Sequence, residues 1–249
     1  MTREVDLVIR GARVVSPDQI IEASVAIAGE HIVAVGHDDT MPPARTEMRA
    51  DGLYLLPGAI DSHVHFRDPG YPNKETWKTG SAAAAMGGVT TVFEMPNTHP
   101  PTGTVEALRI KLKAAESSYC DFGIHGLLGD ESIDQLEALL DAGVTSFKAF
   151  VGNTFGNLPA PTDGALLEGF EILAPLGIRT VVHAENSSIL FRRQKRLQDA
   201  GRIDAMAHLA ARPAVAEIEA INRVLTLAEW TGARVHIAHH SAADSLYLL

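Results

Sequence analysis

The sequence predicts an α/β fold in which a small strand-rich segment precedes a parallel sheet flanked by helices. The first fifty residues contain short Val/Ile-rich runs broken by Gly, Pro and Asp, which is typical of hairpins. After Pro57, β-branched runs alternate with helical segments, and this alternation predicts parallel strands with right-handed crossovers. We therefore expect a small β-sandwich over residues 1–55 and a barrel-type domain over residues 56–249.

Each element has its own local signal. The N-terminal runs are DLVIRGARVV, ASVAIAGEHIVAVG and TEMRADGLYLLPG. Ser132 with Gln135 forms a capping-box pattern that predicts a helix start, and Gly232 follows the apolar face of another helix and predicts its end. We count six strands after Pro57, and no strand-rich segment is left to close the sheet. The helical segments, in order, are ETWKTGSAAAAMG, TVEALRIKLKAAESS, SIDQLEALLDAG, GALLEGFEILAPLG and a helix before Gly232 whose one face carries Ile218, Ile221, Leu225 and Ala228.

Composition excludes several classes of function. The hydrophobic content of 46% suits a packed core, and the net charge of −10 argues against a nucleic-acid surface. Cys120 is the single cysteine, so no internal disulfide can form and a reducing cytosol fits best. The N-terminus lacks the apolar core of a signal peptide, and no uncharged run approaches the ~20 residues needed to span a bilayer. We expect a cytoplasmic protein that binds neither membrane nor nucleic acid.

Reactive side chains recur near the ends of the later strands. A glycine lies five to seven positions before each of Lys148, His183 and His239, with a β-branched run between. The glycine ends a helix at the bottom of the sheet, so these side chains belong to the carboxyl ends of their strands. Barrel enzymes carry their chemistry at that end. The pattern therefore predicts a shared site.

The segment DSHVHFRDPG ends the first strand after Pro57 with His63, His65 and Arg67. Residues two apart on a strand share a face, so these three side chains can point together. Two imidazoles at that spacing suit one divalent ion, and zinc favours nitrogen ligands. The alternative is a pair of surface histidines, and His183 and His239 at later strand ends favour the metal.

Lys148 lies between Phe147 and Phe150, where burying an ammonium ion is costly. It could extend its amine to solvent at the strand end. The functional alternative is that burial lowers its pKa and makes it nucleophilic. A neutral amine can capture CO2 as a carbamate, which is an anionic ligand able to bridge two metals.

Six motifs that follow one another along the chain carry a family resemblance: LPGAIDSHVHFRDPG, AAAMGGVTTVFEMPNT, GVTSFKAF, VVHAEN, ARPAVAEIEAINR and RVHIAHHSA. The chain resembles the cyclic-amide hydrolases of the amidohydrolase superfamily, which are dihydroorotase, allantoinase and the hydantoinases. The resemblance implies a TIM (β/α)8-type barrel with a small β-sandwich, of which about six barrel strands are present.

The resemblance also implies a ligand set for two Zn2+ ions per subunit. One ion is expected on His63 and His65, the second on His183 and His239, with a CO2-derived carbamate on Lys148 bridging them. The neighbouring His240 leaves the choice of His239 open. The family also implies a homodimer or homotetramer.

Arg67 and Asn97, in HFRDPG and MPNT, resemble the dihydroorotase residues that grip the substrate carboxylate. The main expectation is thus the interconversion of N-carbamoyl-L-aspartate and L-dihydroorotate in pyrimidine biosynthesis. Allantoinase and hydantoinase or dihydropyrimidinase remain alternatives, since VFEMPNTHPPT and ARPAVAEIEAI also resemble their segments. A non-catalytic binding or scaffold protein of the same fold is an alternative from another class. The family's catalytic aspartate follows a later strand and is expected beyond Leu249. His125 and Glu94 are expected to be structural.

Overall fold

The computed structural model describes residues 4–152, 154 and 158–249. The chain folds into two compact units, Met1–Ala59 and Ile60–Leu249. The sequence predicts this boundary slightly earlier, after residue 55. No helix in the described part of the chain is long and apolar enough to cross a membrane.

The N-terminal unit is built on one sheet in which β1 is the central strand. Strand β1 pairs antiparallel with β2 and parallel with β4 and β5, and β3 lies outside β2. Val5, Val8 and Ala26 form its small core. The strands are β1 (Val5–Val15), β2 (Ile20–Ala28), β3 (His31–Gly36), β4 (Ala44–Arg49) and β5 (Tyr54–Leu55).

The second unit contains a six-stranded sheet whose spatial order follows the chain order. Its strands are β6 (Ala59–Val64), β7 (Val89–Glu94), β8 (Asp121–Leu128), β9 (Ser146–Phe150), β10 (Arg179–His183) and β11 (Arg234–Ile237). Strands β7 to β11 pair in parallel, and β6 lies beside β7. This order confirms the predicted fold class, a partial barrel with a separate N-terminal sheet.

Helices connect these strands, as the alternating pattern predicts. They are α1 (Trp77–Met86), α2 (Val105–Ala115), α3 (Leu136–Asp141), α4 (Asp163–Leu173), α5 (Ser187–Asp199), α6 (Ala205–Ala210) and α7 (Ala214–Thr231). Short 3-10 helices span Asp38–Thr40, Asp130–Gln135 and Ala243–Leu248. Gly232, at φ 70°, ends α7 in the left-handed conformation that glycine adopts readily. Polar side chains accept backbone N–H groups at the starts of five helices: Thr76, Thr104, Thr162, Asn186 and Asp204.

The predicted helix start at Ser132 is wrong. Residues Asp130–Gln135 form a 3-10 helix, and the α-helix begins only at Leu136. The Ser132 hydroxyl instead donates to the Leu127 carbonyl at 2.7 Å and accepts the N–H of Gly129. A serine hydroxyl that can cap a helix can also bond the backbone of a turn, and at Ser132 it closes the turn after β8.

The main core lies between the six-stranded sheet and its helices. Side chains from strands and helices meet there with almost no exposed surface; they include Leu128, Leu136, Phe147, Phe170, Val182 and Ile221. This packing holds the strands in register. Lys148 on β9 pairs with Val181, and His183 lies two residues further along β10 on the same face.

Candidate metal centre

His63 and His65 present their Nε2 atoms to each other at the end of β6. The two nitrogens are 3.3 Å apart. Two imidazoles on one tetrahedral zinc, with Zn–N bonds of about 2.0–2.1 Å, have nitrogens about 3.3–3.4 Å apart. The spacing therefore fits a shared ion.

Four imidazole rings lie in a row across three strand ends. The ring centroids are 5.2 Å apart for His65 and His63, 5.5 Å for His63 and His239, and 4.8 Å for His239 and His183. His240 instead pairs its Nε2 with the Ser245 hydroxyl at 2.7 Å. The structure brings together all four histidines that the sequence proposes as ligands, and it separates His240 from them.

Lys148 is fully buried, and its amine has no hydrogen-bond partner among the described residues. Burial lowers its pKa from 10.5 to about 7. Its Nζ lies 5.3 Å from the centroid of the Phe150 ring. An unpartnered, partly neutral amine fits the chemistry of a lysine that is modified to an anionic ligand.

The imidazoles of β6 are held in the form that binds metal. Burial, with a smaller contribution from Arg67, lowers the pKa of His65 to about 3. Burial, with a smaller contribution from Lys148, lowers the pKa of His63 to about 4. His65 Nδ1 lies 2.8 Å from Asn97 Oδ1, so Nδ1 is the protonated nitrogen and Nε2 keeps its lone pair. The neutral tautomer at His65 is therefore set before a metal arrives.

His183 is oriented by an acidic neighbour. Its Nε2 lies 2.9 Å from Glu185 Oε2, which also accepts a hydrogen bond from Arg212. Burial alone raises the pKa of Glu185, but the hydrogen bonds from His183 and Arg212 outweigh it and hold that pKa below its usual value. Since Glu185 occupies Nε2, the Nδ1 atom of His183 is the one left to bind a metal.

No group of three or more His, Cys, Asp or Glu side chains within residues 4–152, 154 and 158–249 is arranged to hold an ion alone. The ligand set expected from the sequence gives each ion only two histidines. A third ligand for either of the two expected ions has to come from Lys148 or from an anion formed on its amine. The donor set fits the implied metals only when the lysine takes part.

The two residues expected to bind substrate are neighbours. Arg67 Nη1 donates to the Asn97 carbonyl at 3.3 Å, and Asn97 is almost fully buried, with its side chain turned to His65. A cleft of about 540 Å3 next to His65 is lined by Val64, His65, Phe66, Arg67, Lys74 and Glu75. Arg67 thus lines a cleft beside one candidate ligand, and Asn97 holds His65.

Some residues of the site carry little signal in the sequence. Glu185 lies in the quoted VHAEN motif, two residues after His183, and that spacing on a strand end could have identified it. Lys111, buried on α2, has no such signal. His125 bonds at both ring nitrogens, to the Ser62 carbonyl and the Ser146 hydroxyl, which is the geometry of a structural histidine.

A six-stranded half-barrel with histidines gathered at its strand ends is the architecture of the amidohydrolase class of proteins. The chain belongs to the amidohydrolase family, whose model matches residues 54–246.

Similar proteins include allantoinase from Rubrobacter xylanophilus, 41% identical over 247 residues, and L-hydantoinase from Paenarthrobacter aurescens, 34% identical over 247 residues. Each alignment covers 98% of this chain and 54% of the relative. Among solved structures, L-hydantoinase from Arthrobacter aurescens matches with a TM-score of 0.91 at 34% identity, covering 98% of this chain and 55% of that chain. D-hydantoinase from a Thermus species matches at 0.86 and 30%, covering 97% and 54%. The chain spans about half the length of the curated relatives it matches.

Proposed function

We propose that this chain carries the metal centre of a hydrolase that opens a cyclic amide ring of the allantoin or hydantoin type. The observation that carries the proposal is the convergence of four imidazoles from three strands beside the buried amine of Lys148, which has no hydrogen-bond partner in the described part of the chain. The names of the similar proteins support this substrate class over dihydroorotate, which was the main expectation from the sequence.

The geometry supports one assignment of the metal ligands. His63 and His65 would hold one zinc through their Nε2 atoms, and His183 and His239 would hold the second. A carbamate on Lys148 would complete both sets. When bound, two such ions would supply an activated water and polarise the amide carbonyl. The residues of the chain would then hold and orient the metal ligands, as Asn97 orients the His65 ring.

The choice between substrates depends on Asn97 and Arg67. A dihydroorotase needs both side chains to bind the substrate carboxylate. The Asn97 amide oxygen accepts from His65 at 2.8 Å, and its Nδ2 group, 3.5 Å from Thr154 Oγ1, is the part that would donate to a carboxylate. These contacts suit both ring types, and the similar proteins favour a ring without that carboxylate. One observation favours the dihydroorotate alternative. The Arg67 guanidinium lies beside the cleft, and a guanidinium is well suited to bind a carboxylate.

The test is zinc content and turnover of the purified protein on three rings: allantoin, a 5-substituted hydantoin and dihydroorotate. We expect about two zinc ions per chain and hydrolysis of allantoin or the hydantoin. Preference for dihydroorotate, together with loss of that activity in Arg67→Ala, would support the second candidate. Folded protein that binds no zinc and turns over none of the rings would support a binding or scaffold role. Light scattering would test the expected homodimer or homotetramer, and cell fractionation the cytoplasmic location.

A further inference from the structure

The turn after His65 has an unusual backbone conformation. Arg67 adopts φ 61°, in the left-handed region that costs a non-glycine residue about 1 kcal/mol or more. The N–H of Phe66 donates to Glu94 Oε2 at 2.8 Å, and the N–H of Arg67 also donates to the Glu94 carboxylate. Two consecutive N–H groups that converge on one anion hold the turn in this conformation.

Glu94 depends on a second buried charge. Its side chain is 1% exposed, and that of Lys111 on α2 is 0% exposed. The Lys111 amine donates to the Met95 carbonyl at 2.8 Å, next to Glu94. Burial raises the pKa of Glu94 to about 7 and lowers the pKa of Lys111 to about 8, and the attraction between the two charges opposes both changes.

Packing alone gives no reason for this pair. Lys111 shares the buried face of α2 with Ala107, Leu108 and Ala115, where an apolar side chain would serve the core. Two buried opposite charges commonly add little stability over apolar residues of the same volume, because both lose their hydration. Here the Lys111 amine bonds the Met95 carbonyl beside Glu94, and the Glu94 carboxylate bonds the backbone of the turn that carries Arg67.

We propose that Glu94 and Lys111 are positioning residues that hold Arg67 in its left-handed conformation and so direct its guanidinium into the substrate cleft. The inference rests on the proposed function, in which Arg67 contacts the cyclic amide. The carboxylate acts on the backbone of the turn, and the nearby ammonium favours its charged form against the effect of burial. Arg67 Nη1 then donates to the Asn97 carbonyl at 3.3 Å, which fixes the side chain beside His65.

The test is a double-mutant cycle in the zinc-loaded protein. Glu94→Gln keeps the shape and removes the charge, and it is made alone and together with Arg67→Ala. Lys113→Met is the matched control, because Lys113 lies on the same helix with its side chain 78% exposed. KM, kcat and zinc content are measured for each variant, and crystal structures report the φ of Arg67.

We expect Glu94→Gln to raise KM about tenfold, with kcat and zinc content nearly unchanged, because it removes binding common to substrate and transition state. In the Arg67→Ala background the same substitution should have no further effect on KM, and Lys113→Met should have none at all. An equal increase in KM in both backgrounds would refute a role through Arg67. So would a crystal structure of Glu94→Gln in which Arg67 keeps its left-handed conformation.

The neutral double variant Glu94→Gln/Lys111→Met covers the case in which the single variant does not fold, since removing both charges leaves neither uncompensated. It should show the same rise in KM and a changed φ at Arg67, and wild-type values would refute the inference. If the wild-type protein opens no cyclic amide, the proposed function fails. The crystal structures would still decide whether the buried pair sets the conformation of Arg67.

Discussion

Replacing Lys148 with methionine should stabilise the metal-free protein, because methionine fills a similar volume without an amine to bury. Burial lowers the pKa of Lys148 from 10.5 to about 7. At ~1.4 kcal/mol for each tenfold change in proton affinity, this corresponds to about 4 kcal/mol of lost stability at pH 7. The unfolded chain binds more protons than the folded one between pH 7 and pH 10.5. The loss of stability caused by burying Lys148 therefore shrinks as pH rises, and it is absent above pH 10.5.

The assay is urea denaturation at pH 7 and pH 10 in the presence of a chelator and with bicarbonate removed. We expect Lys148→Met to be more stable than wild type by up to about 4 kcal/mol at pH 7, with little difference at pH 10. Lys113→Met, at an exposed position, should match wild type at both pH values. Equal stability of Lys148→Met and wild type at pH 7, or a difference that does not change with pH, would contradict the lowered pKa of Lys148. With zinc and bicarbonate present, the order should reverse, because only wild type can complete both metal sites.

Three further predictions follow from single contacts. Burial lowers the pKa of His125 to about 4, so the unfolded state binds more protons below pH 6.5. Between pH 7 and 5, urea denaturation should therefore show His125→Gln losing about 2 kcal/mol less stability than wild type. Asn97→Leu removes the acceptor for His65 Nδ1 and should weaken zinc binding by about tenfold to a hundredfold in chelator competition; unchanged affinity would contradict the assigned tautomer. In Gly80→Ala the new Cβ would overlap the Phe66 ring, and thermal unfolding should show a loss of about 1–3 kcal/mol.

Much of the fold could be predicted from the sequence because its signals are local. Alternating β-branched and helical runs are sufficient to predict six strands in chain order, and Gly232 is sufficient to predict the end of its helix. The Ser132 prediction failed because a hydroxyl can serve a turn as well as a helix cap, and only the tertiary position of the Leu127 carbonyl decides between them. The single N-terminal sheet, with its parallel β1–β4 pair, depends on long-range pairing that local patterns do not encode.

The candidate ligands could also be predicted, because each is a reactive residue at a strand end. Apart from Glu185, the residues that support them could not be assigned that role. Asn97 contacts His65 from 32 positions away along the chain. Lys111 lies in a helix whose sequence pattern does not distinguish a buried lysine from an exposed one. The orientation, tautomer and charge state of a histidine depend on residues of the neighbouring strand. These properties decide which ring nitrogen can bind a metal.

Several unfavourable features of the second unit lie at one end of its sheet. The left-handed Arg67 and His239, the amine of Lys148, which has no partner among the described residues, and the buried charge of Glu94 all lie at or beside strand carboxyl ends. The helix-facing core is largely apolar, with the buried Lys111 as an exception. Strain and buried polarity persist only where the surrounding structure holds them in place, and they collect at functional sites. A metal that binds the folded protein but not the unfolded chain would offset these costs. The loaded protein should therefore be far more stable than the metal-free form, and the difference should depend on Lys148.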